Sequence, residues 1–124
     1  MTSYYIDVKI VFVKITISQI NDTEKQEIVI DEINSFEEFS YLDTYDCRND
    51  VHIEDGLIKI FRKDIEHNTL VHLSNYENSF IEIFTTEGSL HFEAKIVEFI
   101  QNESIISIAY ILQEAVCRLE IKAI

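Results

Sequence analysis

At 124 residues and a formal net charge of −13, the chain suits a single domain and is repelled by phosphate backbones and anionic membrane surfaces. Hydrophobic residues at 47% and charged residues at 27% separate it from disordered sequences. The apolar residues are mainly Ile and Val, 30 against 11 Leu and Ala, with a further 21 Thr, Tyr and Phe. Such side chains fit a pleated surface, so the composition predicts one all-β domain over residues 1–124, with no nucleic-acid and no membrane partner.

Tyr4 to Ser18 reads as one long strand. Ile6, Val8, Ile10 and Phe12 alternate with Asp7 and Lys9, and the apolar phase then moves to Val13, Ile15 and Ile17. A one-residue phase change predicts a bulge or sharp bend. Asn21 and Asp22 mark a turn, and Glu27 to Ile33 forms a second strand. From Asp31 to Asp50 two readings stand side by side. Ser35 and Glu38 have capping-box spacing, and Phe36, Phe39 and Leu42 suit one face of a short helix over 35–43. The same aromatics suit a strand.

Beyond Val51 the alternation is continuous. Strands are expected at Leu57–Arg62, Thr69–Ser74 and Ser79–Thr85, then through Leu90, Phe92, Ala94 and Ile96 with a second phase change at Val97 and Phe99. Ile106–Leu112 and a last strand through Cys117, Leu119, Ile121 and Ala123 follow. The turns between them are too short for parallel crossovers. The expectation is an eight-stranded antiparallel β-barrel, since long strands that bend at bulges are how sheets close.

The segments Ile58-Lys59-Ile60-Phe61-Arg62-Lys63-Asp64 and Phe84-Thr85-Thr86-Glu87-Gly88-Ser89-Leu90, with the closing pair Ile105–Leu112 and Val116–Ile121, carry a resemblance. From Val51 onward the chain resembles the YwiB-like family of uncharacterised bacterial proteins, which implies a calycin-like, lipocalin-type barrel. Asp64 stands where that family has Gly, and the stretch from Asp31 to Asp50 looks shorter than the family's. The resemblance implies a fold and no activity.

The search for chemistry is mostly negative. Cys47 and Cys117 belong to no CxxC pair, and Cys117 alternates with core residues. Cys47 with His52 matches no catalytic signature. His67 and His72, five apart, fall on opposite faces of a strand and cannot chelate together. The pairs Asp31-Glu32, Glu37-Glu38 and Glu54-Asp55 read as solvated turns. No phosphate-binding, dinucleotide, nucleophile-elbow or zinc-helix motif is present. No catalytic residue, metal or cofactor is therefore expected.

The candidate ligand contacts are polar groups set among apolar neighbours: Arg62, His72 and Tyr110. A barrel can hold one small ligand fixed by a few convergent polar groups. The leading expectation is a non-enzymatic small-ligand-binding barrel in which Arg62 anchors an anionic group and His72 and Tyr110 assist. The second is an acidic interaction module, of inhibitor or immunity type, steered onto a basic protein partner. A hydrolase built on clustered carboxylates ranks third. Without a signal-peptide pattern at residues 1–18, the expected compartment is the cytoplasm with reduced thiols, as a monomer or as a homodimer joined through an edge strand.

Overall fold

The computed structural model describes residues 13–20, 25–33 and 35–123. In chain order the strands are β1 (Val13–Ile20), β2 (Lys25–Ile33), β3 (Glu38–Leu42), β4 (Arg48–Glu54), β5 (Leu57–Lys63), β6 (Asn68–Ser74), β7 (Ser79–Thr85), β8 (Gly88–Gln101), β9 (Ile105–Leu112) and β10 (Ala115–Ala123), and no helix occurs among the described residues. Ten strands therefore replace the expected eight, and the short helix over 35–43 is corrected to a strand and a turn. In β3, Phe39 and Tyr41 are buried while Glu38, Ser40 and Leu42 are exposed. That is period two, not the spacing of a helical face. In β4 the polar run Arg48-Asn49-Asp50 reads like a loop, yet Asn49 faces inward with Val51 and Ile53.

The sheet order is β2-β1-β10-β9-β8-β7-β6-β5-β4-β3, antiparallel throughout. The wall curls until its two terminal strands share a core. Ile33 of β2 and Phe39 and Tyr41 of β3 pack in one cluster with Val51, Ile58, Leu73, Ile106 and Leu119. The result is a nearly closed antiparallel barrel with its seam between β2 and β3. Burying a side chain such as Ile108, fully shielded here, is worth roughly 1.5–3 kcal/mol, so this inner face dominates the stability.

The phase change expected at Val97 coincides with a register shift between Ile96 and Glu98 in the β8–β9 pair, where Val97 is left 60% exposed. A second register shift, between Val13 and Ile15 in the β1–β2 pair, places its extra residue in β2 between Ile30 and Ile33, and the phase change expected after Phe12 lies outside the described residues. The expected strand segment before Val13 and the turn at Asn21 and Asp22 lie outside the described residues.

The two ends of the barrel differ. At the end carrying the β4–β5, β6–β7 and β8–β9 turns, Gln101 reaches across from β8. Its Oε1 accepts the Gly56 N–H at 2.7 Å and its Nε2 donates to the Glu54 carbonyl at 2.8 Å. The Gly56 carbonyl in turn accepts the Asn75 N–H at 2.8 Å. Buried Ser74 and Ser79 tie the β6–β7 turn, with the Ser79 hydroxyl accepting the Ser74 N–H at 2.8 Å. These bonds lace the turns of this end together, beside a cavity of about 330 Å³ lined by Phe36, Glu37, Ile53, Glu54 and Gln101 among others. The opposite end carries the β3–β4 and β5–β6 turns, and there polar side chains face a cavity.

Candidate functional site at the Arg62 end of the barrel

Asp43 organises this end. It follows β3, and its carboxylate takes four hydrogen bonds. Oδ1 accepts the N–H groups of Tyr45 at 2.9 Å and Cys47 at 3.1 Å. Oδ2 accepts from Asn49 Nδ2 at 3.1 Å and from Arg62 Nε at 2.7 Å. An Asp side chain that holds the backbone ahead of it makes a tight turn, and here the turn includes Asp46 at φ 61°. Asn49, buried on β4, also donates to the Cys47 carbonyl at 3.0 Å. Its amide takes the place of the apolar residue that the alternation would demand, with Nδ2 answered by both of these acceptors.

Arg62 sits opposite Asn49 in the β4–β5 register, and its side chain is 25% exposed. Only Nε is hydrogen-bonded. Nη1 lies 3.6 Å from Asp64 Oδ2, and neither Nη1 nor Nη2 makes a hydrogen bond among the described residues. The guanidinium stands 5.9 Å from the Tyr45 ring centroid. Beside it, Tyr41 is 7% exposed, yet its hydroxyl has no hydrogen-bond partner among the described residues. No buried side-chain nitrogen or oxygen among them goes unpaired, so this hydroxyl opens onto free volume.

That volume is a cavity of about 330 Å³ lined by Gln26, Tyr41, Asp43, Tyr45, Asn49, Ile60, Arg62, Thr69 and Val71, within the size range of small-molecule sites. Gln26 comes from β2 and Tyr41 from β3, so the cavity lies where the two terminal strands approach. Larger clefts exist on the outside. One of about 490 Å³ at the β6–β7 turn is lined by Glu77, Glu93 and Glu98. Another of about 540 Å³ runs over the outer faces of β3–β6. Neither sets an arginine beside a buried tyrosine, and the buried Ser74 and Ser79 hydroxyls lining the first already tie its turn.

The electrostatics fix each group in one state. Burial pushes the Asp43 carboxyl up, but the hydrogen bonds from Arg62, Asn49, Cys47 and Tyr45 outweigh it and hold it below the ordinary carboxylate value. Arg62 is pushed up by its hydrogen bond to Asp43. Burial, helped by the Asp43 charge, raises Tyr41 to about 12. Burial also raises the Cys47 thiol, which rests 3.8 Å from the Tyr45 carbonyl. His52 lies on the outer face of β4 and bonds Glu54 at 2.7 Å, away from Cys47.

The three expected contacts do not converge. Arg62 lines the cavity. Tyr110 is on the inner wall, packed against the core between Ile96 and Cys117 in register, and does not line it. Burial and then Cys117 raise its phenol above the ordinary value. His72 is a correction. Its neighbours Val71 and Leu73 point inward, so period two turns His72 outward. There it stacks on Phe80 at 4.8 Å, which stacks on His91 at 5.0 Å, while His91 bonds Glu82 at 2.9 Å. Burial followed by nearby Lys59 lowers the His72 pKa. Sequence reasoning missed Tyr41, Asp43 and Asn49. The available signal was an Asp three residues ahead of a second Asp in a turn-rich stretch.

No helix among the described residues is long and apolar enough to cross a membrane, and no group of His, Cys, Asp and Glu among them is arranged to hold a metal. No protein-family model matches the chain. No curated protein matches it either. Among solved structures, the fold is similar to the crystal structure of the ywiB protein from Bacillus subtilis, at 10% sequence identity over 90% of each chain and a TM-score of 0.55. The likeness is one of fold.

Proposed function

We propose that this protein is a small-ligand-binding barrel of the calycin-like class, without catalytic turnover, whose ligand enters at the Arg62 end. The observation that carries the reading is the pairing of a nine-tenths buried Tyr41 whose hydroxyl lacks a hydrogen-bond partner among the described residues with an Arg62 whose Nη groups make no hydrogen bond among them, on one cavity. Both groups open onto the cavity, where a ligand can meet them with directional hydrogen bonds. Binding without turnover is supported by the titration states. A general acid or base works best with a pKa near the working pH, whereas Asp43 is held low and Tyr41 at about 12. The up-and-down strand order supports the calycin-like assignment.

Native mass spectrometry of protein purified without added ligand tests the reading. A reproducible extra mass on the wild type that Arg62→Met loses is the expected result. A mass retained by Arg62→Met, or none together with no thermal shift across a library of small metabolites, would count against it. The charge of −13 also supports a second role for the outer wall, contact with a basic protein partner. Such contact would weaken steeply with salt.

A further inference from the structure

We propose that the cavity recognises an uncharged ligand through a carbonyl-type acceptor, an amide or urea oxygen seated between Arg62 and Tyr41, and discriminates against carboxylates and phosphates. This rests on the binding role above and specifies its chemistry. An arginine in a cavity ordinarily suggests an anion, but here the guanidinium is already answered. Asp43 holds Nε at 2.7 Å and Asp64 stands 3.6 Å from Nη1. Two carboxylates face one cation, on a chain of net charge −13.

The donors are nevertheless unspent. A guanidinium carries five N–H groups, and hydrogen bonding within the described residues uses one. The Tyr41 hydroxyl both donates and accepts. A neutral acceptor gains these bonds without meeting net negative charge, whereas an anion meets Asp64 and Asp43 at close range. Asp43 offers a ligand nothing itself, because four donors already occupy it. Ile60 and Val71 on the same lining suit an apolar body behind the carbonyl.

Three probes of one shape separate the alternatives: benzamide, benzoate and benzamidinium, titrated into isotope-labelled full-length protein and followed by NMR. The expected result is saturable benzamide binding that moves Tyr41, Arg62 Nε–H and Thr69, with benzoate and benzamidinium at least about fivefold weaker. Asp64→Asn keeps the acceptor for the Ile65 N–H and removes one carboxylate. It should strengthen benzoate about threefold or more while leaving benzamide unchanged. Benzoate or benzamidinium binding the wild type as tightly as benzamide overturns the ligand class and leaves the binding role standing. An Asp64→Asn variant with an unchanged benzoate affinity overturns the compensation argument. No shift at these residues with any of the three overturns the class and the binding role together.

Discussion

Asp43 Oδ2 accepts the Arg62 Nε–H at 2.7 Å across 19 residues of sequence, joining the end of β3 to the end of β5 over the intervening β4. The same carboxylate fixes the 43–47 turn, so one side chain sets both the turn and the position of the arginine. Asp43→Ala would strand Arg62, Asn49 and two backbone N–H groups. Breaking a buried pair from one side typically costs about 3–5 kcal/mol, and Arg62's partial exposure places the expected loss near the lower limit. Urea unfolding would check it. A loss below about 1 kcal/mol would show that the network is dispensable.

Acid should expose the same link. Asp43's folded pKa lies below its ordinary value, so the unfolded chain takes up the proton first as pH falls. The stabilisation is complete above the ordinary carboxylate range, about pH 4, and disappears as pH drops through the lowered folded value. Asp50, also lowered by its bonds from Ser40 and Arg48, is common to wild type and Asp43→Asn and cancels in the comparison. The stability gap between those two proteins should be flat from about pH 5 to 8 and narrow below about pH 4. A gap that widens in acid contradicts the assignment.

The β9–β10 turn is under local strain. Leu112 pairs with Ala115, leaving Gln113 and Glu114 as a two-residue loop at φ 48° and 71°. Two-residue hairpins with both residues left-handed favour Asn-Gly, and each ordinary residue there costs roughly 1 kcal/mol. Replacing the pair by Gln113→Asn and Glu114→Gly should raise stability by about 0.5–1.5 kcal/mol, measured as a higher urea midpoint with an unchanged slope. A lower midpoint would mean that the native loop is not strained.

Gly56 presents the opposite case. Its φ is 78°, and a Cβ would overlap the exposed Tyr76 ring. Gly56→Ala should cost about 1–2 kcal/mol, chiefly conformational, with a smaller steric part because the exposed Tyr76 ring can shift aside. In the Tyr76→Ala background the steric part should vanish and about 1 kcal/mol of backbone cost remain. Thermal unfolding of the four proteins in that cycle checks the split, and equal costs in both backgrounds would remove Tyr76 from the explanation.

The fold was legible where alternation ran long. Cys117, Leu119 and Ile121 are buried as their spacing required, and the phase change at Val97 marks a register shift. It was illegible from Asp31 to Asp50, because β3 shows only two buried residues and β4 carries a buried Asn49 in place of an apolar one. Neither departure can be seen without the Asp43 carboxylate that accounts for it. The site was half legible. Arg62 stood out as a charged residue ending an apolar strand. Tyr41 did not, since an unpaired hydroxyl is a property of the packed structure. His72 was misplaced because its apolar neighbours were weighed above the period-two alternation that sets them on the other face.

The central claim is that ligands bind at the Arg62 end, inside the barrel. NMR mapping of a mixed set of neutral and charged fragments onto the backbone and Arg62 side-chain resonances tests it most directly. The account predicts that saturable shifts gather on Tyr41, Asp43–Asn49, Arg62, Thr69 and Val71. Shifts that gather instead on the outward His72, Phe80 and His91 stack, or that spread without saturation, would contradict it.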